Sequence, residues 1–250
     1  MQHTVDYAFL HGGGQGGWIW NEVIAALRQQ TGGQVGRTIA LDIPGCGEKQ
    51  GRDITNVDAD DVADELLSDL ANANVKDVIL VGHSMAGTIL PRLVEKKPDL
   101  FRRVVYTSCC APLQGQSILK MMGSGEHGDN SDEVGWPRGT SADDWRQRNR
   151  IMFCNDMNES ETSEFLAKLG RDAWPDSVMG ASDWRYNHLG ATPSTYVICL
   201  KDGVLPVPWQ EIFASRFKAR RLVRIDAGHQ VMNTRPHALA EILWHEAASA

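Results

Sequence analysis

The sequence predicts an α/β fold: a mostly parallel, doubly wound sheet with a mainly helical cap inserted before the penultimate strand. Three observations carry this. Short apolar runs of strand character alternate with stretches of helical periodicity along most of the chain. The alternation breaks once, over residues 111–191, a connection long enough to read as a functional cap at about 112–190. The turns that carry reactive side chains follow strand ends, which parallel sheets collect along one edge.

In chain order, the first strand covers residues 5–10 and stops at the glycines of H-G-G-G-Q-G-G, after which 18–28 reads as a helix. A second strand over 37–42 runs into D-I-P-G-C-G, a turn at the sheet edge, and is followed by a helical pattern over 57–70. The third strand, 77–81, leads through Gly82, His83 and Ser84 into a helix over 86–95, where Ile89, Leu90, Leu93 and Val94 fall at helical spacing. The fourth strand, 104–109, precedes the break. There residues 123–141 are rich in Gly, Asp, Asn and Ser, while 141–153 and 159–169 turn helical. Strands at 196–200 and 222–225, with helices at 208–217 and 235–245, complete one α/β domain over 1–250.

Composition narrows the partners. The 25 Lys and Arg against 32 Asp and Glu give net charge −7 with no basic run, which argues against nucleic acid or an anionic membrane surface and for a small molecule. The N-terminal residues 1–6 show no secretory pattern and no apolar stretch approaches a membrane span, so a cytoplasmic location is expected. The five cysteines lack metal-type spacing and are expected to be reduced and mostly buried. No cofactor or metal is called for, and a homodimer stays open.

The stretch V-I-L-V-G-H-S-M-A-G, residues 78–87, has the pattern of a nucleophile elbow: a serine on a strained strand-to-helix turn needs small residues two positions away on either side, here Gly82 and Ala86. A helix starting at the serine would also bring free N–H groups and a positive dipole end to the reacting atom. A serine hydroxyl needs a base, and the base an acid. His229 ends L-V-R-I-D-A-G-H on the same sheet edge, and Asp202 ends Y-V-I-C-L-K-D. Asp226 is too close in sequence to His229, Asp156 and Asp183 lie in the cap, and the fourth strand end offers no carboxylate. The backbone N–H groups of Gly13 and Met85 are the expected oxyanion donors, and His11 is expected to fix the glycine loop. An imidazole base implies activity that falls toward acid pH.

A rival reading exists. Gly12, Gly14 and Gly17 satisfy G-x-G-x-x-G between a strand and a helix, with Asp42 placed as a ribose-binding acid would be. It leaves Ser84, Asp202 and His229 unexplained and puts Trp18 and Trp20 where a pyrophosphate needs close approach.

Taken in order, H-G-G-G-Q-G-G-W-I-W, D-I-P-G-C-G, G-H-S-M-A-G, K-D-G-V-L-P and A-G-H-Q resemble the α/β-hydrolase superfamily over nearly the whole chain outside the cap. Within it the chain is similar to the small esterase and hydroxynitrile-lyase branch, with its plant-type methylesterases and bacterial carboxylesterases. That resemblance implies a Ser84, Asp202 and His229 triad under a cap, and an EC 3.1.1 carboxylesterase acting through an acyl-enzyme. The lyases of the branch carry a threonine beside the oxyanion loop and a lysine after the histidine, where this chain has Gly12 and Gln230. Cyanohydrin cleavage, lactone or amide hydrolysis, and a non-catalytic receptor are the alternatives. The expected substrate-binding set is Gly12, Met121, Met122, Trp136, Trp145, Met152, Phe153, Trp184 and Gln230, which suits an apolar or aromatic group of a small ester.

Overall fold

The computed structural model describes residues 4–140 and 144–248. Six strands, β1 (Asp6–Leu10), β2 (Thr38–Leu41), β3 (Val78–His83), β4 (Phe101–Thr107), β5 (Ser194–Cys199) and β6 (Arg221–Ile225), form a sheet in the order β2-β1-β3-β4-β5-β6. Every neighbouring pair is parallel. The chain leaves β1 for β2 on one side and returns to β3 on the other. A crevice therefore opens beyond the carboxyl ends of β1 and β3, the place where open parallel sheets hold ligands.

Side chains alternate across the sheet with period two, so each strand feeds two cores. Tyr7, Phe9, Ile79 and Val81 pack with Val23 and Leu27 of α1 (Asn21–Gln30) and Leu239 and Leu243 near the C-terminus. Ala8, Leu10, Val78 and Leu80 face the other layer: Leu66 and Leu70 of α2 (Ala59–Asn72), Leu90 and Leu93 of α3 (Leu90–Lys96), and Phe213. Polar ties fix the strand starts. The Asp6 carboxylate accepts from Arg37 N (2.6 Å) ahead of β2 and Lys76 N (2.8 Å) ahead of β3.

Between β4 and β5 the described residues hold four short α-helices, α4 (Ile118–Met122), α5 (Trp145–Phe153), α6 (Glu159–Lys168) and α7 (Asp176–Gly180), which make up the cap. Asp144 caps α5 by accepting from Arg146 N, and Asn158 with Glu161 forms a capping box on α6. Phe165, Leu166 and Leu169 form a small core of their own, against which Phe153 and the body residue Trp18 pack. After β5 come α8 (Val207–Arg216), α9 (Val231–Thr234) and α10 (Pro236–Ala248). Among the described residues no helix is long and apolar enough to cross a membrane.

Three expectations are corrected. The helix expected over 86–95 begins as a 3-10 turn, Ser84–Thr88, and becomes α-helical only at Leu90. Pro91 lacks the N–H that would close onto Gly87, and Ile89 N instead closes onto Ala86 O at 2.9 Å. The helix expected over 18–28 likewise divides into a 3-10 turn, Gly17–Trp20, and α1. β4 starts at Phe101, not at residue 104, because its two arginines are paired: Arg102 Nε donates to Asp77 (2.8 Å) and Arg103 meets Glu246 at 2.9 Å. Residues 141–143, where the helix expected over 141–153 would begin, lie outside the described residues. The cap helices α4 and α7, not expected from the sequence, are too short to show a period in it.

Candidate active site

The elbow is built as its sequence demands. Ser84 follows β3 directly with φ of 53°, a left-handed backbone that a serine adopts only under constraint. At Gly82 an added Cβ would strike Leu90 and come within 3.0 Å of the Ala86 methyl, so one of these two places must be bare. Alanine suffices at the other. Beyond β1, a Cβ on Gly12 would lie 2.9 Å from Ser84 Cβ, so the glycine loop and the elbow can approach only with hydrogen there. His11 fixes that loop: its Nδ1 donates to Gly12 O (2.8 Å) and its Nε2 accepts from Ile43 N (3.1 Å). Burial holds this imidazole below its ordinary range, which keeps it neutral and able to accept.

Ser84, Asp202 and His229, drawn from three separate strand ends, meet. His229 Nε2 lies 3.0 Å from Ser84 Oγ, and His229 Nδ1 lies 2.7 Å from Asp202 Oδ2. With Nδ1–H donating to the carboxylate, Nε2 is left as an acceptor facing the serine. Asp202 is fully engaged: Oδ1 accepts from Val204 N (2.7 Å) and Leu205 N (2.8 Å), and Oδ2 also accepts from Ser108 Oγ. His83 backs the site. Its Nε2 donates to His229 O (3.0 Å) and its ring lies 4.5 Å from that of His229. Burial, then the neighbouring His229, pushes His83 well below the ordinary imidazole range, so it adds no charge beside the base.

Ser84 and His229 open into a cavity of about 370 Å³ beneath the cap. Gly13 and Met85 line it, as do four of the expected wall residues in addition to Phe153: Met121, Met122, Trp136 and Met152. Trp174, Cys110, Met179, Val204 and Leu205 line it too and escaped sequence reading. Trp174 donates its Nε1 to Gly12 O (3.2 Å), tying the cap to the glycine loop. Burial pushes the Cys110 thiol up to about 12, which keeps it a poor nucleophile near neutral pH. An outer chamber of about 530 Å³, with Arg148, Asn149 and Glu126 in its wall, shares Trp136, Met152 and Phe153 with the inner one.

Four residues of the expected substrate-binding set do not line the inner cavity. Gly12 lies beneath Ser84 and does not line the cavity. Trp145 is 41% exposed and walls only the outer chamber. Trp184 packs on the far side of the cap root, donating Nε1 to Gln116 O (2.8 Å) with the Arg92 guanidinium over its ring. Gln230 is fully buried away from the cavity, and neither atom of its amide finds a partner among the described residues. Ser108, missed in sequence, adds a side-chain donor to Asp202. It sits with φ of 43° where β4 ends, and a serine there carries no motif.

The rival dinucleotide reading draws no support from the structure. Asp42 accepts from Gly17 N (2.6 Å) and Glu48 N (3.1 Å), so it is spent on joining loops.

The fold and the site together define the class: over residues 8–242 the chain matches the Alpha/beta hydrolase family, and it belongs to that family. Among similar proteins, probable esterase PIR7A of Oryza sativa is 33% identical over 113 residues, which is 45% of this chain and 41% of the rice protein. The carbendazim hydrolyzing esterase of Nocardioides is 23% identical over 249 residues, covering 95% of this chain and 98% of that one. The crystal structure of methylesterase MES16 from Arabidopsis superposes with a TM-score of 0.75 at 19% identity, covering 99% of this chain and all (100%) of the other.

Proposed function

We propose that the protein is a serine hydrolase that cleaves carboxylic esters of small, largely apolar substrates through an acyl-enzyme. The observation that carries this is the hydrogen-bonded line from Ser84 through His229 to Asp202, opening onto an apolar cavity. In this reading His229 Nε2 takes the Ser84 proton as Oγ attacks the ester carbonyl carbon. Asp202 holds the Nδ1–H tautomer and balances the imidazolium. The N–H groups of Gly13 and Met85 receive the oxyanion. Collapse of the tetrahedral adduct expels the alcohol, which takes its proton from His229. Water, deprotonated by the same nitrogen, then attacks the acyl carbon and frees Ser84.

The esterase names of the relatives support ester chemistry in particular. Cyanohydrin cleavage draws no support from Gln230, which carries no charge and does not face the cavity. The test is a panel of esters graded in acyl and alcohol size, with lactone, amide and cyanohydrin arms, run on the protein and on Ser84→Ala. We expect ester turnover that drops by several powers of ten in the variant while the fold is kept. Turnover that survives the substitution would sink the serine mechanism. Turnover confined to the cyanohydrin would move the protein to the lyases.

A further inference from the structure

We infer that the cap turn Asn155–Asp156 is a positioning device that sets the catalytic acid and base, so that seating the cap assembles the reactive line. This rests on the serine-hydrolase reading above. Both residues follow α5, and their side chains leave the cap for the two loops that carry Asp202 and His229. Asp156 Oδ2 accepts from Gly228 N (2.7 Å), the amide directly before His229, and from Thr234 Oγ1 (3.0 Å) at the end of α9. Asn155 Nδ2 donates to Lys201 O (2.6 Å), the carbonyl directly before Asp202.

A third cap contact lands on the other side of the acid. His127 Nε2 lies 2.9 Å from Gly203 O, while its Nδ1 lies 2.9 Å from Val134 O; the imidazolium donates to both, the neutral ring to one. Cap bonds thus flank Asp202 on both sides and reach the residue ahead of His229. Gly228 belongs to the same device, since a Cβ there would run into the Asn155 and Asp156 side chains. Phe153, one turn earlier, places its ring 5.8 Å from that of His229.

The chemistry explains why such a clamp matters. His229 must hold Nδ1 on Asp202 and Nε2 on Ser84 together, and small errors of placement cost rate steeply in preorganised sites. The carboxylate of Asp156 gives the turn a charge-assisted acceptor, stronger than a neutral one. Neither Asn155 nor Asp156 lines the cavity, so their effect is on placement and not on substrate contact.

The test compares Asp156→Ala, Asp156→Asn and Asn155→Ala by steady-state kinetics on one aryl ester and by the rate at which a fluorophosphonate labels Ser84. Thermal melts check folding. We expect Asp156→Ala to lose on the order of tenfold to a hundredfold in kcat and in labelling rate, with KM changed less than about threefold, and Asp156→Asn to recover most of the loss. Asn155→Ala, at an exposed side chain, should lose several-fold in kcat and serves as the deciding variant if Asp156→Ala does not fold. A kcat and labelling rate within twofold of the parent in the folded variants, or a loss confined to KM, would overturn the inference. A parent protein that neither labels at Ser84 nor turns over an ester would instead overturn the serine reading itself.

Discussion

At Asp202 four donors converge on one carboxylate: two backbone amides, the Ser108 hydroxyl and the His229 ring. A carboxylate so held cannot swing away from the imidazole, which fixes the tautomer that the proposed serine mechanism requires. Asp202→Asn can offer an amide N–H toward Nδ1 and so favour the wrong tautomer; turnover should fall on the order of ten-thousandfold with little change in melting. Ser108→Ala removes a single donor of a charged acceptor. A loss of about tenfold in kcat is expected, in line with roughly 1.5 kcal/mol for such a bond, and a variant with unchanged kcat would show that Ser108 plays no part. Ser108 illustrates what the sequence hides. The elbow, Asp202 and His229 are legible because each ends an apolar strand in a recognisable turn, whereas a serine at a strand end has many equivalents and only the fold brings this one to the acid.

Among the elements, the strands and long helices are readable from period alone, and the departures have local causes. Pro91 turns the start of the helix after the elbow into a 3-10 segment, and paired arginines let β4 begin where two charges argue against a strand. The cap is readable as an interruption but not in its wall. Trp136 and Met152 face the inner cavity while Trp145 and Trp184 do not: Met152 and Trp145 share one short helix without a long apolar stripe, and Trp136 and Trp184 lie outside helices, so no period gives a face to read. Trp136 also stands between the inner and outer chambers. Trp136→Ala should join them and raise kcat/KM for a bulky ester relative to a small one on the order of tenfold. A ratio that stays put would remove Trp136 from the determinants of size.

Over the whole molecule, buried polar groups tie layers that apolar packing alone would leave free to slide. Glu246 of α10 is fully buried and meets Arg103 of β4, Arg221 of β6 (2.7 Å) and Thr195 of β5 (2.6 Å). Glu246→Ala removes the buried carboxylate shared by the buried Arg103 and the half-exposed Arg221, and should cost about 3–5 kcal/mol, seen as a lowered denaturation midpoint. A midpoint within error of the parent would contradict that role. His11 and His83 add a pH dependence. Both have folded values below the ordinary imidazole value of about 6.5. Below that value the unfolded chain binds protons that the folded chain does not, so stability is full above it and is lost as pH falls, by up to about 1.4 kcal/mol per pH unit for each histidine. Melting midpoints that stay level between pH 7.5 and 5.5 would contradict this. Whether ester cleavage runs through Ser84 is decided by acid-quenching the protein during turnover of an aryl ester and mapping the acylated peptide by mass spectrometry. One acyl group is expected, on Ser84 and absent in Ser84→Ala; ester hydrolysis that proceeds with no acyl group on Ser84 would contradict the proposed route.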